Sequence, residues 1–220
     1  MLVAGLEPEI RRHWRRWRTA RKLDLGVIYI DTDSASNLRF PAGHPVHSML
    51  YIAHPTNPER YLIAAQFHRN AFEDKVAEAI GLLQGLGATK MTVHHVTGWR
   101  RDVNVSMGSE GIQQVAVDAT ITGSSAADSK VLYEAEYEPD HEPRLPDDLH
   151  WFHDEPLWRK LAEGRLQANL RTFSLDVTYQ QDFGIDVELP IKVQKAGFKL
   201  GGEFKRHEAT HWRITGEFAA

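Results

Sequence analysis

Residues 207–211 read His-Glu-Ala-Thr-His. On a helix this spacing sets His207 and His211 on one face as zinc ligands, with Glu208 beside them to activate a water. The surrounding pattern is strand-like, with apolar residues alternating up to Phe204 and resuming at Trp212. The motif is therefore expected on a polar hairpin turn, where that geometry is lost. A second candidate is the pair Asp31 and Asp33. A strand that feeds carboxylates at i and i+2 aims both at one side, an arrangement that suits magnesium. Asp, Asn and Ser also dominate turns for local hydrogen-bonding reasons. On that reading residues 31–37, DTDSASN, form a turn, with Leu38–Phe40 as the return strand of a hairpin.

The string YIDTDS, residues 29–34, resembles the Y-x-D-T-D-S metal motif of family B DNA polymerases, which sits at a hairpin turn. The resemblance covers these six residues and implies Asp31 and Asp33 as metal ligands. Six of the twelve histidines, His44, His47, His54, His68, His94 and His95, fall between residues 44 and 95. The first four are candidates for a metal or acid–base cluster. His94 and His95 are neighbours on a strand, so they point to opposite faces. His150-Trp-Phe-His153 reads as an exposed loop with an aromatic anchor. Phosphate loops, nucleophile elbows and dinucleotide fingerprints are absent from the sequence. The glycines Gly197, Gly201 and Gly202 read as a bulge or bend within a β pattern. There is no cysteine, which excludes disulfide scaffolds, thiol nucleophiles and thiolate zinc sites. No cofactor is expected.

Several elements must hold these groups. Asn57 as N-cap, Pro58 in the first turn and an apolar stripe (Ala65, Phe72, Val76, Ala79, Ile80, Leu83, Leu86) predict a long helix over 58–86, interrupted near 61–63 and closed by Gly87. Short strands are expected at Leu25–Ile30 and His47–Ala53. From Met91 the period becomes two, predicting strands around 103–107, 115–121 and 131–137. Residues 138–148, rich in proline and acid, read as a linker. A helix is expected over Pro156–Asn169, with Leu157, Leu161 and Ala168 inward. Phe173, Leu175, Val177 and Tyr179 alternate as a strand. Residues 185–193 also alternate, although Pro190 admits a short helix over 183–194 instead. Residues 198–204 and 212–218 are expected to pair as a last hairpin. The fold class is α+β: an antiparallel meander sheet with one long packed helix, a basic amphipathic N-terminal helix and a β-rich C-terminal part. The expected divisions are 1–24, 25–140 and 141–220, with the last two packing as one unit.

The N-terminal helix carries the strongest charge signal. Residues 6–23 predict a helix with apolar residues Leu6, Ile10, Trp14, Trp17 and Ala20 at spacings of three and four. Arg11, Arg12, Arg15, Arg16, Arg18, Arg21 and Lys22 fill the other faces. Against Glu7 and Glu9 these seven cations give about +5 for residues 1–22, and the net charge of −4 leaves about −9 for the remainder. Three readings compete. The helix docks on an acidic membrane or acidic protein surface; it binds nucleic acid, which the acidic body disfavours; or its tryptophans pack on the protein's own core.

The expected function is a non-enzymatic effector or interaction protein. Its general layout is similar to that of gasdermin-like pore formers, which implies a membrane it perturbs. The alternatives are a metal-dependent hydrolase or phosphotransfer enzyme using Asp31 and Asp33 or the histidines, and a structural subunit that forms an oligomer. No apolar run approaches the roughly 20 residues of a membrane span, and the first residues lack the apolar stretch of a secretory signal. A cytoplasmic location, peripheral at a membrane, is the expectation.

Overall fold

The computed structural model describes residues 2–4, 10–30, 32–46, 49–98, 131–138, 142–180, 189–198 and 209–219. The fold is α+β, with a long packed helix and an antiparallel sheet. The chain forms two compact units, Met1–Asp74 with Gln180–Glu208, and Lys75–Tyr179 with Ala209–Ala220. Residues 142–148, within the segment that reads as a linker, lie inside the second unit.

In the first unit, strand β1 (Leu2–Ala4) is followed by helix α1 (Ile10–Lys22) and strand β2 (Val27–Tyr29). Strands β1 and β2 pair in parallel. The basic helix is therefore the crossover of a βαβ unit, since parallel neighbours require such a connection. Strands β3 (Leu50–Ala53) and β4 (Tyr61–Ile63) complete a sheet of order β2-β1-β3-β4, antiparallel from β1 onward. The turn expected at 31–37 is, over its described residues, one helical turn, α2 (Thr32–Ala35), followed by turn residues 36 and 37. Leu38–Phe40 is not a hairpin strand, and its bridge is a parallel one from Arg39 to Arg60.

The long helix begins later than the local signals suggest. Asn57 caps a turn: its Oδ1 accepts the Glu59 N–H at 3.2 Å and its carbonyl accepts the Arg60 N–H at 3.1 Å. Tyr61–Ile63 extends because it pairs with Tyr51–Ala53. A 3-10 turn (Ala64–Gln66) then leads into α3, Phe67–Gly85. The predicted stripe holds in α3, where Phe72, Val76, Ala79, Ile80 and Leu83 are all buried. The unit boundary falls within α3, between Asp74 and Lys75.

The second unit is built on a fully antiparallel sheet of order β6-β5-β8-β7. It comprises β5 (Ala88–Thr97), β6 (Val131–Glu136), β7 (Thr172–Tyr179) and β8 (Thr210–Phe218). Strand β7 alternates as predicted, burying Phe173, Leu175, Val177 and Tyr179. Strand β8 lies between β5 and β7. Gly216 allows that approach, because a Cβ there would collide with the Lys90 carbonyl oxygen. The strands predicted at 103–107 and 115–121, and the partner strand at 199–204, lie outside the described residues. Phe198 itself follows a helix rather than entering a strand.

Helix α4 (Pro156–Ala168) starts at its predicted proline and ends on Asn169 in the left-handed region. Its inward face is not the predicted one. Trp158, Ala162 and Arg165 are buried and Leu161 is half-buried, whereas Leu157 is 68 % exposed and Ala168 is exposed. Arg165 explains the rotation. Its guanidinium donates to the carbonyls of Leu86 (3.1 Å) and Leu170 (3.2 Å) and lies 5.0 Å from the Phe218 ring centroid. A single cation thereby satisfies two carbonyls at helix ends. The residues before α4 are held too, since Trp151 and Phe152 are buried rather than exposed. Residues 189–195 are helix α5, the alternative to a strand, with Pro190 in its first turn, where a missing N–H costs nothing.

Candidate functional site

Helix α1 forms because arginine and alanine are strong helix formers and no glycine or proline interrupts Ile10–Lys22. Its end is built by Asp24 in the left-handed region (φ 54°). The Leu25 N–H returns to the Ala20 carbonyl at 2.9 Å, and the Asp24 N–H to that of Arg21 at 3.2 Å. This is a Schellman closure, with Ala20 and Leu25 as its buried apolar pair. Arg21 and Lys22 fall in the last turn, where the helix dipole favours cations.

The inward face of α1 rests on α5. Arg16 is half-buried, with its guanidinium 5.5 Å from the Phe198 ring centroid and its Nε 3.4 Å from where a Cβ on Gly197 would lie. Gly197 (φ 88°) ends α5 in the same way as Asp24 ends α1, and it is a helix-terminating residue, not a β-bulge. Arg16 is thus a packing residue and leaves the list of exposed cations.

The outward face carries both aromatics and cations. Trp14 is 58 % exposed and stacks on Trp17 with ring centroids 5.1 Å apart. The Arg21 guanidinium lies 4.9 Å from the Trp17 ring centroid. Arg15, Arg18, Arg21 and Lys22 are all exposed. None of the four has an ion-pair partner among the described residues. The tryptophan stripe is therefore not a core stripe. Trp14 shares the solvent side with the cations, Trp17 is half-buried, and Ala20 alone of the stripe's described side chains is buried. The side chains of Arg11 and Arg12 lie outside the described set.

The other candidates assemble less. Asp31 and His207 lie outside the described residues, as do Glu208, His47 and the Asp33 side chain. The Asp33 backbone is in the helical turn α2, not at a hairpin tip. His211 is on strand β8, which rules out the helical zinc geometry at that residue. Its Nε2 lies 2.9 Å from Asp176, which also accepts the Arg213 guanidinium at 2.7 Å. That hydrogen bond from Arg213, opposed by partial burial and aided by His211, holds the Asp176 carboxyl below its ordinary range. Among the described residues no group of three His, Asp or Glu is placed to hold a metal ion.

Among the described residues of the first unit, His44 and His54 find separate partners. His44 Nδ1 is 2.6 Å from the Tyr51 hydroxyl, which also accepts the Val46 N–H at 2.8 Å. His54 is buried, with Nε2 3.0 Å from Asp74 Oδ2 and Nδ1 accepting the Thr56 N–H at 3.3 Å. Asp74 also pairs with Arg60. Both ring nitrogens of His54 are engaged, so the group fastens the β3–β4 turn to α3.

Burial pushes the Asp74 carboxyl upward, but the His54 contact and the Arg60 charge outweigh it and hold it below the ordinary value of 3.8. Between its folded and unfolded values the unfolded chain binds more protons. The contribution of Asp74 is therefore complete above the unfolded value and is lost as pH falls through the folded one. Asp74→Asn should cost about 1–3 kcal/mol at neutral pH and flatten the fall in stability below about pH 4. Urea midpoints of both proteins across that window are the check, and equal acid slopes would refute it.

Fold and site together define an α+β protein whose crossover helix presents a cationic, tryptophan-bearing face. No family model, no curated protein and no solved structure matches the chain.

Proposed function

We propose that this is a non-enzymatic docking protein that engages an acidic surface through the outward face of α1. The observation that carries the reading is Trp14. A tryptophan 58 % exposed, set among Arg15, Arg18, Arg21 and Lys22, is unlike a core residue and like an interfacial anchor. The negative remainder of the chain supports the same reading, since it repels a general polyanion.

The informative variant is Arg15→Glu/Arg18→Glu. Both residues are exposed, whereas Arg16 packs on Phe198 and its loss would perturb the fold. At about 1 kcal/mol per cation, loss of the two positive charges alone should weaken binding to an immobilised polyanion roughly 30-fold at low salt, and the two added carboxylates should weaken it further. Wild-type binding should itself fall steeply with added salt. Identical salt elution of variant and wild type would sink the reading.

A further inference from the structure

We infer that the acidic surface is an anionic lipid interface, on which α1 lies flat with Trp14 in the headgroup layer. This rests on the docking reading and specifies its partner.

The arrangement of the aromatic pair favours lipid over nucleic acid. Binding a nucleobase by stacking needs an open ring face. Trp17 stacks on Trp14 and has Arg21 4.9 Å from its ring centroid, so it has little ring to offer a base, and Trp14 offers one face at most. A lipid interface asks for something else: an amphipathic indole at headgroup depth with cations at the same level to meet the phosphates. At about 100° per residue, Trp17, Arg21, Trp14, Arg18, Lys22 and Arg15 fall in that angular order within an arc of roughly 160°. Trp14 therefore sits mid-arc with cations on both sides of it.

The mode of binding follows from how α1 is held. Strands β1 and β2 pair in parallel on either side of it, and Arg16 packs its inward face on α5. The 13-residue helix is about 20 Å long, short of the roughly 30 Å hydrocarbon core. Among the described residues no helix is long and apolar enough to cross a membrane. Helix α1 is presented as a preformed, surface-lying element, so binding orders no new segment and leaves the bilayer closed.

The test uses the full chain with phosphatidylcholine vesicles, with and without phosphatidylserine, at low salt. Cosedimentation is expected only with phosphatidylserine. Trp14→Ala should weaken it at least about tenfold. Quenching of tryptophan emission by brominated acyl chains should be strong in wild type and reduced in Trp14→Phe, and trapped dye should not leak. Vesicle binding that ignores Trp14, or that releases dye, overturns the flat-lying arrangement. Retention on a polyanion matrix or a single-stranded oligonucleotide without vesicle binding overturns the lipid assignment and leaves the docking reading standing. Failure on every surface overturns both.

Discussion

Replacing Glu78 by alanine should lower the unfolding free energy by about 3–5 kcal/mol, measured by urea denaturation. No local signal marks this glutamate, which sits mid-helix in α3. Its carboxylate accepts three backbone N–H groups from the segment before α4: His150 at 2.7 Å, Trp151 at 2.7 Å and Phe152 at 2.8 Å. Hydrogen bonds to a charged acceptor are each worth about 1.5–3 kcal/mol, and water can replace only part of them beside the buried Trp151 and Phe152. Glu78→Gln should fall between wild type and alanine, because a carboxamide has one acceptor oxygen and points its NH2 at donors. The same segment is held from α3 by Lys75, which pairs with Glu155, donates to the Thr178 carbonyl at 3.0 Å and lies 5.4 Å from the Trp151 ring centroid. A loss below about 1 kcal/mol in Glu78→Ala would mean that this clasp is not needed.

A paired substitution on α4 has the next largest expected effect. Trp158→Ala should cost about 3–5 kcal/mol, while Leu157→Ala should stay within about 0.5 kcal/mol. The residues are neighbours in sequence, and the leucine belongs to the regular apolar series. Trp158, however, is fully buried, whereas Leu157 is 68 % exposed. Removing a buried indole loses its transfer energy and leaves a large void, and no such cost follows from trimming a solvated leucine. Thermal or urea unfolding of both variants checks the contrast, and similar losses would mean that α4 turns its other face inward.

How far each element was legible depended on where its deciding partner lay. Strand β7 and helix α3 were legible because each buries one continuous face of regular period, so Leu175 and Val177 or Val76 and Ile80 announce themselves. At Tyr61–Ile63 the break in the helix was legible but the strand was not, because its extended form comes from pairing with Tyr51–Ala53, eight or more residues earlier in the chain. Residues 189–195 show the reverse: alternation favoured a strand, and Pro190 in the first turn marks the helix instead. In α4, two backbone carbonyls that Arg165 satisfies turned a charged residue inward and a leucine outward.

The candidate site divides in the same way. Composition alone determined that α1 is a helix, that it is strongly cationic and that it contrasts with an acidic remainder, because propensity and charge are local, additive properties. Which face of α1 reaches solvent was decided by tertiary structure. Parallel pairing of β1 with β2 makes α1 a crossover, and Arg16 rather than Trp14 meets the neighbouring helix. A stripe of tryptophans at helical spacing specifies amphipathicity but not its direction. Direction depends on the neighbours that long-range pairing supplies, and here those neighbours leave Trp14 outside.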